Sequence, residues 1–80
     1  MSIREAILKR FKEICAERGL KYNKLATLSG VTPSTVYSVM DEKRKELSVI
    51  TMKKLIDGLD MSITEFFDTD TFRNLEQEIK

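Results

Sequence analysis

Histidine and tryptophan are absent from this chain of 80 residues, and cysteine and proline occur once each. Without histidine there are no Ser-His or Cys-His nucleophile pairs, no His-ligated zinc, and none of the commonest general base. A lone cysteine makes no intrachain disulfide, which fits a reducing compartment. The glycines Gly19, Gly30 and Gly58 lie far apart, so no glycine-rich loop cradles a phosphate. No apolar run approaches the roughly 18 residues that a membrane helix needs. The start, Met1-Ser2-Ile3-Arg4-Glu5, has no signal-peptide core behind a basic segment. These absences lead to the expectation of a cytoplasmic protein that is not an enzyme. No metal, cofactor, membrane or small-molecule site is expected.

What remains is the composition of one helical domain. Hydrophobic residues make up 41% and charged residues 34%, too apolar for a disordered chain. At this length a single core is adequate but not generous. The net charge of +1 hides an asymmetry. Met1 to Lys54 hold twelve Lys/Arg against six Asp/Glu, whereas Leu55 to Lys80 hold two against seven. Such a split is expected when one face meets phosphate, although a merely solvated surface gives the same count.

Periodicity predicts five helices. The first runs from about Ile3 to Arg18, with the Ser-x-x-Glu spacing of a capping box at Ser2 and Glu5 and a stop at Gly19. Its expected buried face is Ile3, Ile7, Phe11, Ile14 and Cys15, with Lys9, Arg10 and Lys12 solvated on the others. The second spans Tyr22 or Asn23 to Ser29; Lys21 cannot cap it, and Asn23 would do so one residue late. The third runs from Pro33 to about Met40, followed by a charged, aperiodic stretch from Asp41 to Glu46. The fourth begins near Ser48 and places Val49, Met52, Leu55, Ile56 and Leu59 on one face, with Gly58 allowing close packing. Ser62 and Glu65 repeat the capping-box spacing and open a fifth helix holding Phe66 and Phe67. In the tail, Phe72, Leu75 and Ile79 form a stripe that folds back, pairs with another subunit, or frays.

The second and third helices carry the most specific pattern. Leu25 and Ala26 are followed by Gly30, then by Val31, Val36 and Val39. Alanine permits a close helix crossing, and Gly30 supplies the positive φ of a tight turn. Thr32 caps the next helix, Pro33 occupies its first position, and Val31 with Val36 forms a hydrophobic staple. Val36 and Val39 share one buried stripe. Ser34, Thr35, Tyr37, Ser38 and Asp41 then face outward. This is the geometry of a helix-turn-helix, whose second helix reads DNA.

The run Gly19-Leu20, Leu25-Ala26, Ser29-Gly30-Val31-Thr32, Thr35-Val36 and Val39 resembles the phage-repressor-type (lambda-repressor-like, Xre family) helix-turn-helix domain. The segments Thr51 to Ile56, Gly58-Leu59, Met61 to Ile63 and Glu65 to Phe67 are similar to the closing helices of the same family, in a form common in low-GC Gram-positive bacteria and their mobile elements. The resemblance covers about residues 3 to 68. It implies a sequence-specific transcription regulator that binds DNA as a dimer. Two positions depart from the family pattern. Tyr22 stands where glutamine is common, and Met40 and Glu42 stand where glutamate and then glycine often follow the recognition helix.

The expected fold is therefore all-α: a compact five-helix phage-repressor-like bundle with a helix-turn-helix and an optional short sixth helix. Residues 1–68 are expected to form the DNA-binding domain, and residues 69–80 a tail for packing or dimer contact. Candidate base contacts are Ser34, Thr35, Tyr37 and Ser38, with Pro33 at the helix start. Tyr22, Asn23, Thr32, Lys43, Arg44 and Lys45 are candidates for the DNA backbone, helped by the amides that open the second and third helices. A solvated loop is the alternative for Lys43 to Lys45. The expected function is a transcriptional regulator, a repressor by preference, acting on double-stranded DNA as a homodimer. The alternative is an antitoxin-like or anti-repressor module that grips a protein. Phe66, Phe67, Phe72, Leu75 and Ile79 are candidates for the dimer contact, with core packing equally open for the first two.

Overall fold

Ser2 starts the bundle: its hydroxyl accepts from the Glu5 amide at 3.2 Å and opens α1 (Ile3–Arg18). Gly19 ends that helix in the left-handed region, at φ 62°, where a Cβ is unfavourable. The computed structural model describes residues 1–44 and 46–75. Further along lie α2 (Tyr22–Ser29), α3 (Pro33–Val39), α4 (Val49–Gly58), α5 (Ile63–Phe67) and a short α6 (Asp70–Arg73). The fold is all-helical among the described residues. Gly30, at φ 70°, makes the turn between α2 and α3. Ser62 and Glu65 form a complete capping box on α5. Lys21 occupies the N-cap position of α2 without a side-chain bond, and Asn23 lies inside the helix.

One core holds these elements. Phe11, Leu25, Ala26, Val36, Leu55, Ile56 and Phe66 are fully buried in it. Phe11 meets Phe66 at 4.6 Å between ring centres, and Phe66 meets Phe67 at 5.0 Å. The tail folds back as far as it is described: Phe72 packs at 4.7 Å on Phe67 and 6.1 Å on Phe66. Ile79 and Lys45 lie outside the described residues.

Several expectations need correction. Ile3 is 39% exposed at the open end of α1, whereas Ala6 and Leu8 are buried on sides the single-stripe pattern ignored. Val49 is 72% exposed, because it opens α4 before the stripe of Leu55, Ile56 and Leu59 reaches the core. Leu59 itself is the C-cap of α4. Arg10 is not merely solvated. Its Nε donates to the Phe66 carbonyl at 2.9 Å, its Nη2 to that of Glu65 at 3.3 Å, and its guanidinium lies 5.8 Å from the Phe66 ring centre.

Arg10 belongs to a set. Arg4 Nη2 donates to the carbonyls of Val39 at 3.3 Å and Asp41 at 2.9 Å, and Arg18 donates to that of Leu59. Three arginines of α1 thus close the C-terminal ends of α3, α5 and α4, where unpaired carbonyls concentrate negative charge.

Candidate nucleic-acid interface

Thr32 and Pro33 fix where the outward face of α3 begins. The Thr32 hydroxyl accepts from the Thr35 amide at 3.2 Å and lies 2.9 Å from the Thr35 hydroxyl. Pro33, at the first helical position, withholds no donor that the helix needs. Behind this cap Val36 and Val39 sink into the core, with Val31 packed against it. Burying that stripe compels the opposite side of α3 outward: Ser34 is exposed and Tyr37 is 56% exposed. Thr35 and Ser38 are half-buried rather than fully outward, because they turn toward α4.

These side chains border a groove. Ser34, Thr35, Ser38 and Arg44 line a cavity of about 330 Å³, together with Glu46 and, at the start of α4, Ser48 and Thr51. On another side of α3, Tyr37 meets Tyr22 edge-on, with ring centres 5.4 Å apart and planes at 73°. The first residue of α2 therefore stands beside the exposed side of α3. Asn23 is exposed on α2, and its carbonyl accepts from the Thr27 hydroxyl at 3.2 Å. Lys43 is exposed in the turn after α3; neither it nor Asn23 lines the groove. Of the candidates named from sequence, only Lys45 lies outside the described residues.

The exit from α3 has no glycine. Met40 takes a right-handed conformation at φ −80° and ψ −3°, and buries its side chain to 6% exposure. The Arg4 guanidinium replaces the usual glycine-based closure by holding the Val39 and Asp41 carbonyls. Glu42 is then tied to α1 by a 2.9 Å ion pair with Lys12. The hydrogen bond from Lys12 holds the Glu42 carboxyl below its ordinary range.

Sequence reasoning did not select Lys21 or Lys24, which flank Tyr22 and Asn23. Both are exposed, and neither has an ion pair among the described residues. Ser48 and Thr51 were also missed, since linear spacing does not reveal that α4 starts across a groove from α3. A lysine unable to cap α2 was itself the signal, because an uncapped helix start leaves amides and a cation side by side.

No group of three metal-ligating side chains occurs among the described residues, and no helix there is long and apolar enough to cross a membrane. Two short helices crossing behind a capped, outward-facing second helix define a helix-turn-helix. Comparison with protein families matches residues 10–71 to the Cro/C1-type HTH DNA-binding domain, and the chain belongs to that family. Among solved structures, the crystal structure of the prophage Lp1 protein 11 is similar, at a TM-score of 0.77 and 26% identity. That likeness covers 94% of this chain and 100% of the other. A comparison with curated proteins finds no match.

Proposed function

We propose that this chain is a sequence-specific transcriptional repressor that inserts α3 into the major groove and binds paired half-sites as a homodimer. The observation that carries this reading is the polar, exposed start of α3, fixed by Thr32 and Pro33 and flanked by cations on two sides. In this reading Ser34 and Ser38 meet base edges, and the Thr35 methyl and Tyr37 ring supply apolar contact. Tyr22, Asn23, Thr32, Lys43 and Arg44 face the DNA backbone, joined by Lys21 and Lys24. Likeness to a prophage protein fits a phage-repressor-like domain, and a DNA partner supports a cytoplasmic location.

No arginine, asparagine or glutamine stands on α3, so the bidentate base contacts worth roughly 1–3 kcal/mol each are missing from it. Specificity then rests on two half-sites, about 34 Å apart, and on DNA shape. The test is affinity for random and selected duplexes at two salt concentrations. Lys21, Lys24, Lys43 and Arg44 together imply a loss on the order of a hundredfold per subunit between 50 and 200 mM salt. Affinity indifferent to salt would remove the mechanism and favour an antitoxin-like, protein-gripping module instead. Ser34→Ala with Ser38→Ala should reduce sequence preference while the helical signal stays; equal preference would clear both serines of readout.

A further inference from the structure

The polar side chains of α3 are of one chemical kind. Ser34, Thr35, Tyr37 and Ser38 all carry a hydroxyl, and no charged or amide side chain stands among them. A hydroxyl both donates and accepts. It therefore meets the O4 acceptor of thymine and the N4 amine of cytosine alike, and the same holds for O6 of guanine and N6 of adenine. To such a face, a thymine–adenine pair and a cytosine–guanine pair differ in the major groove by one remaining feature, the C5-methyl group of thymine. Sensing a methyl group takes apolar surface.

Tyr37 offers that surface. It is 56% exposed, which leaves ring carbon open as well as the hydroxyl. The ring is also held in place. Tyr22 meets it edge-on, with centres 5.4 Å apart and planes at 73°. Tyr22 is itself half-buried and packed against the core, so the pair is anchored to the bundle. A ring fixed before DNA arrives loses little freedom on contact.

We infer that Tyr37, held by Tyr22, reads the C5-methyl group of a pyrimidine, so that 5-methylcytosine paired with guanine is bound as thymine paired with adenine is. Tyr37 determines specificity, and Tyr22 is a positioning residue. The inference rests on the DNA-binding reading above and names the base feature which that face recognises. It also adds a regulatory input: methylation of cytosine at a half-site strengthens binding there. The purines are the poorer partners, because guanine calls for arginine or lysine and adenine for asparagine or glutamine, and α3 has none of these. Covering one methyl group corresponds to about fourfold in affinity per half-site.

The probes are duplexes recovered by selection from random sequence, with each thymine replaced in turn by uracil, which lacks only the methyl group. At the thymine that meets Tyr37 the expected loss is about fourfold. When a cytosine–guanine pair is placed there, 5-methylcytosine binds about fourfold tighter than cytosine. Tyr37→Ala abolishes both differences, and Tyr37→Phe, which keeps the ring, retains them. Tyr37 is exposed, so its truncation leaves the core intact. Tyr22→Leu shrinks both differences and Tyr22→Phe restores them, whereas a packing role alone would lower the melting temperature and leave the methyl ratio as it was. Uracil equal to thymine at every position, 5-methylcytosine equal to cytosine, or a methyl ratio that survives Tyr37→Ala overturns the inference. A ratio unmoved by Tyr22→Leu overturns the positioning role. The DNA reading fails by a separate sign, wild-type binding that is indifferent to salt and equal on selected and random duplexes, and this inference then falls with it.

Discussion

Gly58→Ala isolates a close approach between α4 and α2. Gly58 ends α4 with an ordinary negative φ, so an added methyl brings no backbone strain of its own. Space is the obstacle. A Cβ there would overlap the Ser29 hydroxyl and lie 3.0 Å from the Ser29 Cβ and 3.1 Å from its Cα. Because that Cα is backbone, α2 itself must shift. Overpacking of this kind costs about 1–3 kcal/mol. Alanine returns part of the roughly 1 kcal/mol helix preference over glycine, and less than that at a terminal position. The expected net loss is about 1–2 kcal/mol, equivalent to a melting temperature lower by about 5–15 °C for a domain of this size. Thermal unfolding followed by far-UV circular dichroism reads it. The control is Ser29→Ala. The Ser29 hydroxyl is buried without a hydrogen-bond partner, so its removal is neutral or mildly stabilising. In that background the hydroxyl overlap is gone and only the 3.0 and 3.1 Å contacts persist, so Gly58→Ala should lose less, by at least about 0.5 kcal/mol. An unchanged or raised melting temperature, or equal losses in both backgrounds, would refute the close-crossing argument.

Phe66→Ala removes a fully buried ring in contact with Phe11, Phe67 and Phe72, and should lower stability by about 3–5 kcal/mol in urea titrations. A loss under about 1 kcal/mol would mean that the aromatic cluster can collapse onto the gap. Arg4→Met keeps the aliphatic stem but uncaps α3; about 1–2 kcal/mol is expected, with faster amide exchange around Met40 and Asp41. Unaltered exchange there would show that the carbonyls are held another way. Glu65 accepts from the Ser62 amide, which holds its carboxyl below the ordinary 4.5. With the folded value depressed, the stabilisation is complete above the ordinary value and disappears as pH falls through the folded one. Glu65→Gln should therefore flatten the loss of melting temperature between about pH 5 and pH 3; parallel profiles for both proteins would contradict this.

Most of the fold was legible because its punctuation is chemically specific. Gly19 and Gly30 do adopt the positive φ that few other residues tolerate, and Thr32-Pro33 starts α3 at the expected residue. The errors arose where one stripe was asked to describe a helix with several neighbours. Helix α1 contacts the core through Ile7, Phe11 and Ile14, yet it also buries Ala6 and Leu8, and periodicity alone does not announce the extra partners. Val49 shows the reverse case: it fits the stripe by spacing, but lies at the helix end, before α4 reaches the core. Site residues on α3 and α2 could be named, since a buried stripe fixes the opposite face. The groove floor from Ser48 and Thr51 could not, because it depends on where the segment after α3 returns.

Counting charges along the chain overstates the cation available to a polyanion. Of the twelve basic residues up to Lys54, Arg4, Arg10 and Arg18 are bonded to helix-end carbonyls. Lys9, Lys12 and Lys53 face Glu13, Glu42 and Asp57. Lys21, Lys24, Lys43, Arg44 and Lys54 stay exposed with no ion pair among the described residues. Tyr22 against Tyr37 brings Lys21, which precedes it, toward one side of α3, and Arg44 borders the groove on another. The salt dependence of DNA binding should therefore follow these residues and not the whole basic half. On the proposed reading, Lys21→Ala lowers the slope of log affinity against log salt by about 1 and weakens all sequences alike. Lys9→Ala, which removes an equal charge from α1, leaves the slope unchanged. Equal slopes in the two variants would mean that net charge governs binding and that the front of α3 has no special part in it.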